Sequence, residues 1–131
     1  MRIPPFLVLL PLLALAACDG GTGASSSAGG EYIGALQSPN GPEGAAMLEI
    51  TGGSVQEISA ASATLFRQPV SGGQKVMLIR PDAGRIEFRV VIADGGELPQ
   101  VRVVQVVAPD DSVRPTTDGY AVTFTRTRGD P

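Results

Sequence analysis

Cys18 carries the only thiol in a chain of 131 residues that contains no histidine. Those two facts remove most of the common catalytic chemistry. Ser-His-Asp and Cys-His nucleophilic sites need an imidazole, and the usual zinc sites draw on histidine and several cysteines. A single cysteine allows no intrachain disulfide, and an unpaired thiol in a secreted protein would be a reactive liability unless it serves attachment.

Carboxylates are the next candidates, because paired acids run glycosidic chemistry and clustered ones hold calcium. Asp110 and Asp111 are adjacent, Asp118 follows a Pro-Thr-Thr stretch, and Asp82 and Asp94 each sit among turn residues. Aspartate favours turns because its side chain bonds its own backbone two residues on. No EF-hand or nonapeptide calcium spacing accompanies these residues. Lys75 could in principle activate Ser71, but both flank the Gly72-Gly73 pair, where solvated polar residues are expected. The chain is therefore read as non-enzymatic, with no catalytic, cofactor-binding or metal residue assigned. The alternative is a small-ligand or carbohydrate receptor, or a carboxylate-based enzyme, and it requires a concave pocket with convergent polar groups. Sugar stacking would need exposed aromatic faces, and beyond residue 17 there are only Tyr32, Phe66, Phe88, Tyr120 and Phe124, with no tryptophan. Tyr32 and Phe66 are the two candidates for surface anchors. Leu65 and Phe66, being consecutive in an extended segment, must point to opposite faces.

Around Cys18 the pattern is specific. Met1-Arg2 supplies one positive charge, and Ile3 to Ala17 is a run of 15 residues without a charged side chain. A basic start, an apolar middle of roughly 7–15 residues and small residues before the cut describe an export signal. A spanning helix wants about 20 apolar residues, and Pro4, Pro5 and Pro11 interrupt this shorter run. Leu15-Ala16-Ala17-Cys18 resembles the lipobox of bacterial lipoproteins. The resemblance implies cleavage between Ala17 and Cys18 and a diacylglycerol carried on the Cys18 sulfur by a thioether. The partner so implied is a membrane, held through acyl chains, and the location is the cell envelope, extracytoplasmic. That means the periplasmic face of the inner or outer membrane, or the cell surface. Each buried CH₂ contributes about 0.8 kcal/mol, so two or three chains on one residue make release slow. Asp19 resembles an inner-membrane retention signal of enteric-type bacteria, which leaves the choice of membrane open.

Asp19 to Gly30 holds no large apolar residue and is rich in Gly, Ala and Ser, so it is read with Cys18 as a tether spanning 18–30. Such chains behave as flexible coils with a mean reach of about 5–6 Å times the square root of the residue number. Loss of Arg2 with the signal leaves nine basic residues against 13 acidic, a net charge of −4. The basic residues are scattered singly, unlike a nucleic-acid-binding face.

Residues 31–128 form one domain, with 129–131 as a tail. Period-two alternation recurs while helical spacing does not, so the fold class is all-β. In Arg85 to Ala93, Ile86, Phe88, Val90 and Ile92 share one face, with Arg85, Glu87 and Arg89 opposite. In Gly119 to Arg128, Tyr120, Val122 and Phe124 face inward and Thr123, Thr125 and Thr127 outward. Val101 to Ala108 is apolar on nearly both faces, as for a central strand covered on both sides or an edge meeting a partner. Gly52-Gly53 is expected to link Ala46–Thr51 to Ser54–Ala60 as a hairpin, and Pro81-Asp82-Ala83-Gly84 to link Gln74–Arg80 to Arg85–Ala93 in the same way. Together these signals predict a single antiparallel β-sandwich of seven to eight strands. The succession of the Gly84–Val90 strand, the Val-rich strand and the Tyr120–Phe124 strand is similar to cohesin-like and immunoglobulin-like sandwiches of bacterial surface proteins. That resemblance implies the architecture only. The function expected is binding or scaffolding of another envelope or surface protein, through a sheet edge or a two-sided apolar strand.

Overall fold

The structure, a computed structural model, describes residues 29–127. Eight strands run in chain order through this region: β1 (Gly30–Gln37), β2 (Glu43–Thr51), β3 (Val55–Ser59), β4 (Thr64–Val70), β5 (Gly73–Gly84), β6 (Glu87–Ile92), β7 (Gln100–Val107) and β8 (Ala121–Arg126). They form two four-stranded sheets, sheet I in the order β3-β6-β1-β8 and sheet II in the order β4-β5-β2-β7. Every pairing is antiparallel. No helix occurs among the described residues, so the chain is all-β in a sandwich-like arrangement.

Alternation builds the core. On β2, Ala46, Leu48 and Ile50 are buried, and on β5 Val76 and Leu78 lie beside them. From sheet I come Tyr32 and Leu36 on β1, Ile58 on β3, and Phe88, Val90 and Ile92 on β6. All belong to one apolar cluster, which is why the two sheets stack face to face. Gly34 is the informative gap in this layer. Its cross-strand neighbours are Phe88 and Phe124, whose rings meet edge to face at 6.0 Å. A Cβ at position 34 would lie 2.4 Å from the Phe88 ring, so that ring occupies the volume a side chain would need. At the end of β1 nearest residue 29, the Arg126 guanidinium lies over the Tyr32 ring, 5.7 Å from its centroid.

Two expected hairpins are not hairpins. Gly52 and Gly53 do take positive φ, 66° and 68°, but β2 and β3 lie in different sheets. Likewise β5 and β6 lie in different sheets, and the Pro81–Gly84 segment continues β5 far enough for Gly84 to pair with Glu43. Turn chemistry is local and does not distinguish a chain that reverses within a layer from one that crosses between layers. The tight hairpin is β4–β5, where Val70 pairs with Gly73 across Ser71 and Gly72, with Gly72 at φ 77°.

The Val-rich strand is β7, an edge strand of sheet II, so the central, doubly covered alternative does not hold. Its register against β2 shifts so that Leu48 pairs with Val103 and Met47 with Gln105, a bulge that adds Val104 to the strand. Its last residues are covered by the following loop, through the Val107–Val113 bridge and the bond from the Arg114 amide to the Val106 carbonyl.

Candidate functional site

The loop after β1 and the long connection from β7 to β8 meet at one end of the two layers, over the first residue of β2. That residue, Glu43, is 1% exposed. Its Oε1 accepts hydrogen bonds from the Ser38 hydroxyl at 2.8 Å and the Tyr120 hydroxyl at 2.7 Å, and its Oε2 accepts one from Arg114 Nε at 3.2 Å. Asn40 closes the circuit, donating its side-chain amide to the Tyr120 oxygen at 2.7 Å and its backbone amide to the Ser38 oxygen. The bond to Glu43 holds the Arg114 guanidinium above its ordinary range. A buried carboxylate is tolerated when paired and fully hydrogen-bonded. This one joins β2, the β1–β2 loop and the β7–β8 connection. Beside it lies a hollow of about 310 Å³ lined by Leu36, Ser38, Pro42, Glu43, Arg85 and Ile86.

The aspartates singled out in the sequence are dispersed. Asp110 accepts bonds from the amide and hydroxyl of Ser112, and the hydroxyl bond is the main cause that lowers its pKa from the ordinary 3.8. Asp111 follows in a left-handed conformation, φ 67°. Asp82 lends its carbonyl to Arg80, and the Asp118 amide donates to Thr116. Among the described residues, no three histidine, cysteine, aspartate or glutamate side chains converge on one point. Tyr32 is buried in the core and is not a surface anchor, because its neighbours across the pleat are Val90 and Arg126 on the inner face. Leu65 packs on the core while Phe66 is 57% exposed, as their opposite directions require. Cys18, the residues before it and tether residues 19–28 lie outside the described residues, whereas Gly30, read as the end of the tether, is the first residue of β1.

Two surfaces stand out. The first is the outer face of sheet II. The register places Phe66, Met77, Met47 and Gln105 in one row across β4, β5, β2 and β7, and Thr64, Ile79, Ala45 and Val107 in the next, extended by Val113. Phe66, Ile79 and Val113 are 57%, 38% and 55% exposed, and a shallow hollow of about 120 Å³ opens among Ala45, Met47, Met77, Gln105 and Val107. The following row on this face is charged: Lys75 and Arg102 flank Glu49, which Arg102 meets at 2.8 Å. The outer face of sheet I is different, carrying Glu31, Glu57 and Glu87 against Arg89 and Arg85, which meets Glu87 at 3.2 Å, with threonines 123 and 125 on β8.

The second surface is the free edge of β4, exposed along most of its length and, among the described residues, paired with β5 alone. Closure of the hairpin at Val70 and Gly73 makes that pair hydrogen-bonded, and alternation then turns the backbone of residues 65, 67 and 69 outward. Pro69 accordingly costs no ladder bond. Leu65 and Arg67 present their N–H and C=O groups to the free edge.

Burial of Glu43 is not legible in the sequence. Ala46, Leu48 and Ile50 set the inward parity of β2, and by that parity residue 43 faces out. A register shift between Glu43 and Ala45 reverses it. The outer apolar rows are legible as unbroken apolar runs in Ala45–Leu48 and Val76–Ile79, which leave both faces of those strands apolar as in Val101–Ala108. No family model, curated protein or solved structure matches this chain.

Proposed function

We propose that this chain is a bacterial lipoprotein. It is acylated at Cys18, held in the cell envelope on the extracytoplasmic side, and carries a non-enzymatic module that binds or scaffolds another envelope or surface protein. The partner contributes a strand to the free edge of β4. The observation that carries this reading is that β4 is an exposed edge strand whose outward backbone groups at Leu65 and Arg67 take part in no strand pairing among the described residues. β7, the more apolar edge, is the poorer acceptor because the loop through Arg114 covers its end. An immunoglobulin-like relationship has partial support in strand order. The β4-β5-β2 and β3-β6 neighbours match those of strands D-E-B and C-F in such sandwiches, whereas β1 beside β6 and β7 beside β2 depart from it.

Two substitutions test the reading separately. Cys18→Ser is expected to release the protein from the membrane fraction; retention there would refute the anchor. Arg67→Pro removes an outward N–H and leaves the β4–β5 ladder whole, so it should abolish capture of a partner from detergent-solubilised membranes without lowering the melting temperature. Undiminished capture would refute the edge.

A small-ligand receptor is the second reading, favoured by the hollow of about 310 Å³ beside Glu43. It ranks lower because three donors already occupy the Glu43 oxygens and no aromatic side chain lines the hollow.

A further inference from the structure

We infer that the outer face of sheet II docks on the anionic phospholipid surface of the membrane that holds the anchor, fixing the domain's orientation. The inference rests on the lipid-anchor reading of Cys18. Three observations carry it.

The face presents Phe66, Met77, Met47, Ile79 and Val113 side by side, a hydrophobic surface about four strand spacings wide, on the order of 20 Å. Its charge is complementary to acidic headgroups. Lys75 and Arg102 outnumber Glu49 there by one, while on the outer face of sheet I Glu31, Glu57 and Glu87 outnumber Arg85 and Arg89. A chain whose net charge is −4 after loss of the signal thus keeps its local positive excess beside its exposed apolar side chains. The same excess opposes pairing of this face with a second copy of itself.

Tether length matches the docked geometry. Ten residues lie between Cys18 and Gly29, and a Gly/Ser-rich chain of eleven such steps has a mean reach of about 18 Å. With sheet II lying on the membrane, sheet I stands one sheet spacing higher, about 10 Å, plus the depth of the outer side chains. β1, which begins at Gly30, is in sheet I, so the tether meets it without being stretched. Effective concentrations across short flexible linkers reach about the millimolar range, so even a weak face can stay engaged. Interfacial apolar side chains sit about 5–10 Å into the headgroup and acyl boundary. The free edge of β4 lies at the side of this face, and docking leaves it open to a partner.

The test uses the full acylated chain in phosphatidylglycerol–phosphatidylcholine vesicles with brominated acyl chains. The chain has no tryptophan, so Phe66→Trp supplies a single reporter on the docked face and Thr125→Trp one on the outer face of sheet I. Flotation with the vesicles reads the anchor independently. The expected result is flotation of both variants, with several-fold stronger bromine quenching for Phe66→Trp than for Thr125→Trp. Adding Met77→Asp to the Phe66→Trp chain should remove that excess quenching while flotation persists. Flotation with equal quenching, or none, overturns the docking alone and returns the face to a protein partner. Absence of flotation overturns the anchor and the docking with it.

Discussion

Replacing Glu43 distinguishes a structural carboxylate from a functional one. Glu43→Gln keeps an acceptor for the Ser38 and Tyr120 hydroxyls but presents an NH₂ group to Arg114 Nε. A hydrogen bond to a charged group contributes about 1.5–3 kcal/mol and a neutral one about 0.5–1.5. One charged bond is lost and two are converted to neutral ones, partly offset by the easier burial of an amide. The expected net cost is about 2 kcal/mol. Glu43→Ala leaves all three donors without a partner at a site only 1% exposed and opens a void. It should cost about 4 kcal/mol. For a domain of about 100 residues, 1 kcal/mol corresponds to roughly 4–8 °C in melting temperature. Far-ultraviolet circular dichroism during heating would therefore show drops of about 10 °C for Gln and about 20 °C or more for Ala. An alanine variant that melts within a few degrees of the parent would refute the latch. A glutamine variant that melts higher than the parent would point to a carboxylate kept for function at the expense of stability, strengthening the small-ligand reading.

The Phe88–Phe124 pair and the Asp110 turn yield further tests. Gly34→Ala forces a methyl group into the Phe88 ring and should cost about 1–3 kcal/mol, measured by urea unfolding; pairing it with Phe88→Leu should recover part of the loss, and no recovery would refute the steric cause. Asp110 has its folded pKa depressed below 3.8 by Ser112, so its stabilising contribution is present above the unfolded value and disappears as pH falls through the folded one. Asp110→Asn should therefore flatten the acid end of the stability curve below about pH 4 and leave its slope near neutrality unchanged; an unchanged acid limb would refute the assignment.

Class and core were legible from the residues alone. Ile86, Phe88, Val90 and Ile92 fall on one face by a period of two that needs no tertiary information, and the threonines of β8 mark the opposite side in the same way. The uncharged run ending at Leu15-Ala16-Ala17-Cys18 is likewise a property of sequence, and the export signal proposed for it rests on that pattern alone. Tertiary structure decided the rest. Whether Gly52-Gly53 and Pro81–Gly84 reverse the chain within a sheet or carry it between sheets depends on which strands pair, which is a non-local choice. The placement of β7 at an edge, and of the half-buried Met47 and Met77 in one outward-facing row, follows from the same pairing. Glu43 is the sharpest case. Its alternation parity points outward, and only the register shift at the start of β2, together with Ser38, Arg114 and Tyr120 arriving from distant segments, makes burying its carboxylate favourable. Parity is inherited along a strand until an irregularity resets it, and here residues 80–83 of β5 stand opposite Gly44 alone, a mismatch that exists only once β2 and β5 have paired.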